Sequence, residues 1–279
     1  MIEIRSCRGL EELEQCVQLQ IETWGLEPDE TTPRKTFLLA QKIGGQVVGA
    51  FDTELAGSDL AGKTGALVGF AMSLPGVKAG TNFSDGQPRA YLHSHMLAVR
   101  EGYRNRGLGA QLKLEQRREA LERGIRRMEW TFDPLEIKNA FLNIHKLGAT
   151  VCQYRVNFYG VSSSRLQGGL PTDRLLAEWQ LDSARVSAHL AGQVTGYQSI
   201  EERITVPAAI YQWKGSDRDR ERALAVQLEN RHKFQQALSR GLGVIDFERD
   251  EEGNGIFKLG PLTQLEKGNQ ELRIAHYAN

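Results

Sequence analysis

The stretch HSHMLAVREGYRNRGLGAQL, residues 93–112, runs an apolar segment into a polar turn, a glycine-containing bend and the first turns of an amphipathic pattern. It predicts a strand ending at Val99, a bend at RNRGLGA, and a helix from about Gly107 to Arg123 that stops at Gly124. Ala110, Leu114 and Leu121 share one face of that helix. A helix start carries unpaired backbone N–H groups and the positive end of the helix dipole, and is a natural place for a phosphate. Gly107 and Gly109 have no side chain to block an anion, and Arg104 and Arg106 add positive charge. A pyrophosphate is the guest this chemistry points to. The bend is neither GxxxxGK[ST] nor GxGxxG, which sets aside two common nucleotide signatures. The plainer reading is a turn that only lets strand and helix pack closely.

Working outward, Ile2 to Arg5 alternates as a first strand, Leu10, Leu13, Val17 and Ile21 recur at helical spacing before Gly25, and a second helix begins near Pro33. QVVGAF and ALVGFAMS read as strands, with turn-rich loops at residues 53–65 and 78–90. After the bend and its helix come a strand from Arg126 to Phe132, a helix opened by Asp133-Pro134-Leu135-Glu136 as a capping box, and a strand in TVCQYRVNFYG. Residues 1 to about 160 therefore read βααββ, then strand-helix-strand-helix-strand, which argues for parallel or mixed pairing in the second part. Residues 161–173 are a Ser/Gly/Pro-rich connector. Beyond it lie a strand from Arg174 to Leu181, a short helix capped by Ser183, a strand near Ile204 to Trp213, a long charged helix and a hairpin around Gly253-Asn254-Gly255.

Composition narrows the class. The chain has 279 residues, 40% hydrophobic and 25% charged, enough for a sizeable core. Lys+Arg and Asp+Glu are both 35, so the net charge is zero, and nothing in the balance favours nucleic acid or an anionic membrane as partner. Cys7, Cys16 and Cys152 form neither a metal-ligand pattern nor a disulfide framework, and no metal site is expected. The first residues have no apolar run suited to a signal peptide or membrane span, so the expectation is a reduced, cytoplasmic protein. A homodimer is left open.

Arg104, Gly107 and Gly109, read as R-x-x-G-x-G after a strand ending LAV, resemble the coenzyme-A-binding motif of the GNAT acyltransferase superfamily. The order of elements over residues 1–160 is also similar to that fold. WTFDPLEIKNAFLNIHKLGA and PTDRLLAEWQL resemble a longer bacterial group of predicted acetyltransferases. The resemblance implies an α/β (α+β) architecture with a mixed, mostly antiparallel sheet flanked by helices. Residues 1–160 would be the acyl-CoA-binding domain, and 161–279 a C-terminal α/β extension packing on or completing it. It implies direct transfer from acetyl-CoA or another acyl-CoA to a small amine or amino-acid-like acceptor. The pyrophosphate would rest on backbone N–H groups of Arg106, Gly107, Leu108, Gly109 and Ala110, with Arg104 and Asn105 also binding the cofactor. The pantetheine arm would follow Leu97, Ala98 and Val99, with an N–H near Leu97 polarising the thioester carbonyl. Asn139 and Asn143, four apart on the later helix, would touch the cofactor.

An amine acceptor must lose a proton before it attacks, a task suited to histidine. His93 and His95, two apart on a strand, point to one face, which is also that of Leu97 and Val99 unless a bulge intervenes. HSHMLAV resembles the His-x-His run of arylalkylamine N-acetyltransferases, which makes His95 and His93 the base candidates; the alternative is a hydrogen-bonded core pair. Ile144 stands where many members of the superfamily have the tyrosine that protonates the leaving thiolate. Tyr159, or Tyr154, is the substitute acid, unless the thiolate leaves unaided. That missing tyrosine supports the alternative function, a non-catalytic acyl-CoA-binding module. Glu129 reads as an exposed alternating position and the four tryptophans as core or cavity wall.

Overall fold

The computed structural model describes residues 1–55, 65–78, 87–193 and 199–262. The predicted loops at 53–65 and 78–90 lie largely outside the described residues. By its internal contacts the chain forms two units. Unit 1 takes Met1–Gly76, Leu92–Arg126 and Ser162–Leu166, and unit 2 takes Val77–Tyr91, Arg127–Val161 and Gln167–Asn279. Among the described residues no helix is long and apolar enough to cross a membrane.

Unit 1 is built from β1 (Ile2–Ser6), α1 (Gly9–Trp24), α2 (Arg34–Lys42), β2 (Gln46–Asp52), most of β3 (Ala66–Lys78) and β4 (Arg89–Val99), and α3 (Leu108–Glu122). Its strands lie in the order β1-β2-β3-β4, with β2 antiparallel to both β1 and β3. Two apolar layers sandwich them. Leu13 and Leu19 of α1 and Phe37 of α2 pack with Val47, Phe51, Phe70 and Met72 on one side. Leu108 and Leu112 of α3 pack with Val48, Ala50, Val68 and Ala71 on the other. Each fully buried side chain of this size contributes roughly 1.5–3 kcal/mol.

Local chemistry sets the helix ends. The buried Glu12 carboxylate accepts the Arg8 backbone N–H at 2.6 Å and two bonds from Arg5 at 2.8 and 2.9 Å, which fixes the start of α1. Gly25 stops the helix with φ +63°, a conformation an L residue adopts at a cost. Pro33 stands just before α2 rather than in its first turn. The buried face of α3 is Leu108, Leu112, Gln116 and Ala120, not the predicted row, and Leu114 is exposed. The reason is that α3 buries two polar residues, Lys113 and Gln116, which disguises its periodicity. Part of the connector runs along unit 1: Glu30 accepts Ser163 N at 2.7 Å and Ser162 Oγ at 3.0 Å, and Arg165 N donates to the Trp24 carbonyl.

Unit 2 holds β5 (Arg127–Phe132), α4 (Ile137–Ala140) running into a π-helical turn at Phe141–Lys146, β6 (Thr150–Arg155), β7 (Arg174–Gln180), α5 (Ala184–Leu190), β8 (Glu202–Val206), α6 (Ile210–Lys214), α7 (Arg220–Ser239), β9 (Leu242–Arg249) and β10 (Gly255–Pro261). Its strands lie in the order β5-β7-β6-β9-β10-β8. β7 is antiparallel to both β5 and β6. The helical crossover does leave β5 and β6 parallel, but β7 separates them, so the pairing is antiparallel. β8 ends at Val206 rather than Trp213, because Pro207 follows it and the chain turns into α6.

Two sequence expectations fail here for one reason, a distant partner. Asp133 Oδ1 accepts Leu135 N at 2.8 Å and closes a turn, and α4 begins only at Ile137, so no capping box forms. Asp133 Oδ2 and Glu136 Oε1 instead each lie 2.9 Å from Lys214 Nζ. Glu129 is buried, with Lys78 Nζ 2.5 Å from its carboxylate.

Candidate active site

The strand β4 presents different chemistry on its two faces. Met96 and Ala98 belong with the layer formed by α1 and α2, and Thr32 Oγ1 lies 4.0 Å from Met96 Sδ. Leu97 and Val99 belong with the layer formed by α3. Ser94 also faces α3, since its hydroxyl contacts Lys113 and Gln116. Regular alternation from Ser94 would put Leu97 on the opposite side. The alternation is therefore broken once, between Ser94 and Leu97, as a bulge does. His93 and His95 do not share the face of Leu97 and Val99. Their rings are 6.3 Å apart, tilted by 41°. His95 is exposed yet crowded by protein; that crowding first, and His93 second, push its imidazole below the ordinary value of 6.5.

Beyond Val99 the chain turns through Glu101–Tyr103 into the bend. Arg104 Nε donates to the Val99 carbonyl at 3.0 Å, and Arg106 lies over the Tyr103 ring, whose hydroxyl donates to Asp52 at 2.7 Å. Asn105 and Gly107 both have positive φ, +62° and +80°. No side chain caps the start of α3. Arg104, Asn105, Arg106 and Gly107 are exposed, Leu108 is buried, and Gly109 and Ala110 are half-buried. A Cβ at Gly107 would meet only the Gln111 amide, at 3.9 Å. A bare helix start, open in front and flanked by arginines, fits a phosphate group.

Residues 11–142, which include most of α1, all of α2 and this bend, match the model of the Acetyltransferase (GNAT) family. That stretch is similar to a GNAT acetyltransferase domain. NAA60 from Arabidopsis thaliana, solved in complex with acetyl-CoA, shares the fold with a TM-score of 0.51 at 15% identity, covering 66% of this chain and 100% of that one. The ribosomal-protein-S18-alanine N-acetyltransferase from Escherichia coli gives 0.47 at 16% identity, covering 66% and 96%. A comparison with curated proteins finds no match.

The remaining predicted residues lie in unit 2. Tyr159 is exposed, its hydroxyl 2.8 Å from Thr131 Oγ1 and the Arg174 guanidinium over its ring. Tyr154 donates to the buried Asp173 at 2.5 Å, and burial with that carboxylate pushes the phenol strongly up. A phenol held that way is a poor proton donor. Asn139 is exposed and Asn143 buried; the wider π-helical turn between them takes them off the shared face that an α-helix predicts. Ile144 is fully buried, and His145 stacks on Phe141 with Nδ1 3.4 Å from Asp246.

Sequence reasoning missed Ser94, Lys113 and Gln116. A helical row counted from Leu108 rather than Ala110 would have placed Gln116 among the buried positions. Nothing local marks Lys113.

Proposed function

We propose that the chain is an acyl-CoA-dependent N-acyltransferase, with acetyl-CoA as donor and a small amine or amino-acid-like molecule as acceptor. The observation that carries this reading is the uncapped, exposed start of α3, directly downstream of a strand that carries two histidines. The backbone from Arg106 to Ala110 would hold the pyrophosphate, with Arg104 and Asn105 beside it, and β4 from Leu97 to Val99 the pantetheine arm. His95 takes the proton from the attacking amine, with His93 beside it. The amine nitrogen bonds to the acyl carbon as the C–S bond breaks, and the sulfur leaves with the electron pair. Residues 1–160 carry this machinery and 161–279 are the extension. The acetyl-CoA complex of NAA60 supports the cofactor, since that protein shares the fold.

The test is amine-dependent release of CoA thiol from acetyl-CoA across a panel of small amines. His95→Ala lowers kcat by roughly a hundredfold or more. A base works when neutral, and His95 is held below 6.5, so the acid limb of kcat/KM falls below that pH. No amine in the panel giving turnover, or a limb unmoved by His95→Ala, sinks the reading.

A further inference from the structure

On the α3 side of β4, five buried polar side chains form one connected row. Lys113 Nζ donates to Ser94 Oγ at 2.7 Å, and Ser94 Oγ donates to Gln116 Oε1 at 3.0 Å. Gln46 Nε2 donates to the Gln116 carbonyl at 2.9 Å, and Gln46 Oε1 accepts from Ser73 Oγ at 3.0 Å. None of the five exceeds 5% exposure. Gln46, Ser73 and Ser94 come from β2, β3 and β4, and Gln46 is paired with Ser73 in the ladder. Lys113 and Gln116 descend from α3, the helix that starts at the bend.

Packing alone does not call for such a row. Apolar side chains would fill the space without desolvating an amine and two amides. Burial pushes the Lys113 amine down to about 7, a sign of what its position costs. The row leaves the Gln116 Nε2 without a partner, yet its directional bonds favour a single register, which apolar side chains enforce less sharply. Ser94 is the residue between His93 and His95. The alternation of β4 breaks just after it, so the side each histidine takes depends on where that break sits. A slip of one residue would present Ser94 or Met96 in place of His95.

We propose that the row through Lys113, Ser94 and Gln116 positions the histidine pair: it ties Ser94 to α3 and so fixes which side of β4 presents His95. Ser94 is not itself a nucleophile, because it is buried and its proton is given to Gln116. The row rests on the base role of His95 for its catalytic consequence, but its structural effect on His95 is independent of that role.

Ser94→Ala and Lys113→Met in the full chain test this in two ways. The first is an NMR titration of the His95 imidazole, assigned with His95→Gln and recorded without ligand. The resonance shifts its midpoint or doubles in both variants, while Ser94→Thr, which keeps the hydroxyl, restores the wild-type signal. The second is steady-state kinetics, in which kcat falls roughly ten- to a hundredfold and the acetyl-CoA Kd moves less than about twofold. An unchanged His95 titration in both variants overturns the proposal, as does a loss confined to melting temperature. Should Lys113→Met fail to fold, the smaller Ser94→Ala decides. A wild type that binds acetyl-CoA without turning over any amine removes the base role of His95 and leaves the NMR arm to judge the row.

Discussion

The starts of α3 and α4 both follow a strand, and both look in sequence like places for charge. At α3 the residues are two glycines among arginines; the helix has no side-chain cap and its first turn is open. At α4 the residues are an aspartate and a glutamate; both are drawn to Lys214, from a distant part of the chain, and sealed in. The difference lies in where the partner comes from. A helix start that the protein satisfies itself is structure, and one left bare beside positive charge is open to an anion from outside. The start of α5 is a third kind, with Ser183 Oγ accepting Val186 N at 3.2 Å.

Breaking the sealed start has the largest expected effect. Lys214→Met leaves the buried Asp133 and the half-buried Glu136 without their cation, and removing one partner of a buried ion pair costs about 3–5 kcal/mol. Burial already raises the Glu136 carboxyl above its ordinary value. In the variant the Glu136 carboxyl, its cation gone, rises further, so the folded state binds more protons than the unfolded one, and the deficit shrinks as pH falls towards the ordinary carboxylate range near about 4. Denaturant unfolding of Lys214→Met at neutral and acid pH checks both size and sign. Adding Asp133→Asn and Glu136→Gln recovers most of the loss at neutral pH. A stability equal to wild type would mean that the cluster is not sealed.

Charging the bare start has the next largest effect. Gly107→Glu puts an L residue at φ +80° and a carboxylate where an anion would sit. The acetyl-CoA Kd rises at least about a hundredfold, equivalent to roughly 2.7 kcal/mol. Gly107→Ala carries the backbone strain without the charge, and stays within about tenfold of wild type if charge is the main term. Calorimetric titration of the two variants reads this directly. Equal losses would assign the bend to backbone shape and take away its electrostatic role.

The same comparison explains what the sequence disclosed. The α3 start was legible because everything that makes it, Arg104 to Ala110, lies within seven residues. The helices of unit 1, their glycine stops and the β9–β10 hairpin were legible for the same local reason. The capping box at Asp133 was misread because Lys214, eighty-one positions away, outbids the backbone for the carboxylate. Glu129 was misread as exposed because Lys78 covers it. The face of α3 was misassigned because Lys113 and Gln116 are buried against Ser94 and Gln46, a pattern that hydropathy scores as surface. The faces of β4 were half legible: two histidines at spacing two share a side, but the break before Leu97 depends on which helix each residue packs under.

The capped start of α5 supplies the smallest expected effect and the sharpest control. Ser183→Ala removes one accepted N–H from a seven-residue helix, and losses of this kind are about 1 kcal/mol. Other bonds remain there: Ser187 N and Ser187 Oγ both donate to the Ser183 carbonyl, at 3.0 and 3.1 Å, and neither needs the Ser183 side chain. The Val186 N–H, once released, costs little if water reaches it. The denaturant midpoint of Ser183→Ala therefore falls slightly, and the acetyl-CoA Kd is unmoved. A start that holds only its own first turn has nothing to give a ligand. If Ser183→Ala changed acetyl-CoA binding as Gly107→Glu does, capping would not separate structural starts from binding starts, and the case for the bend would have to rest on its arginines alone.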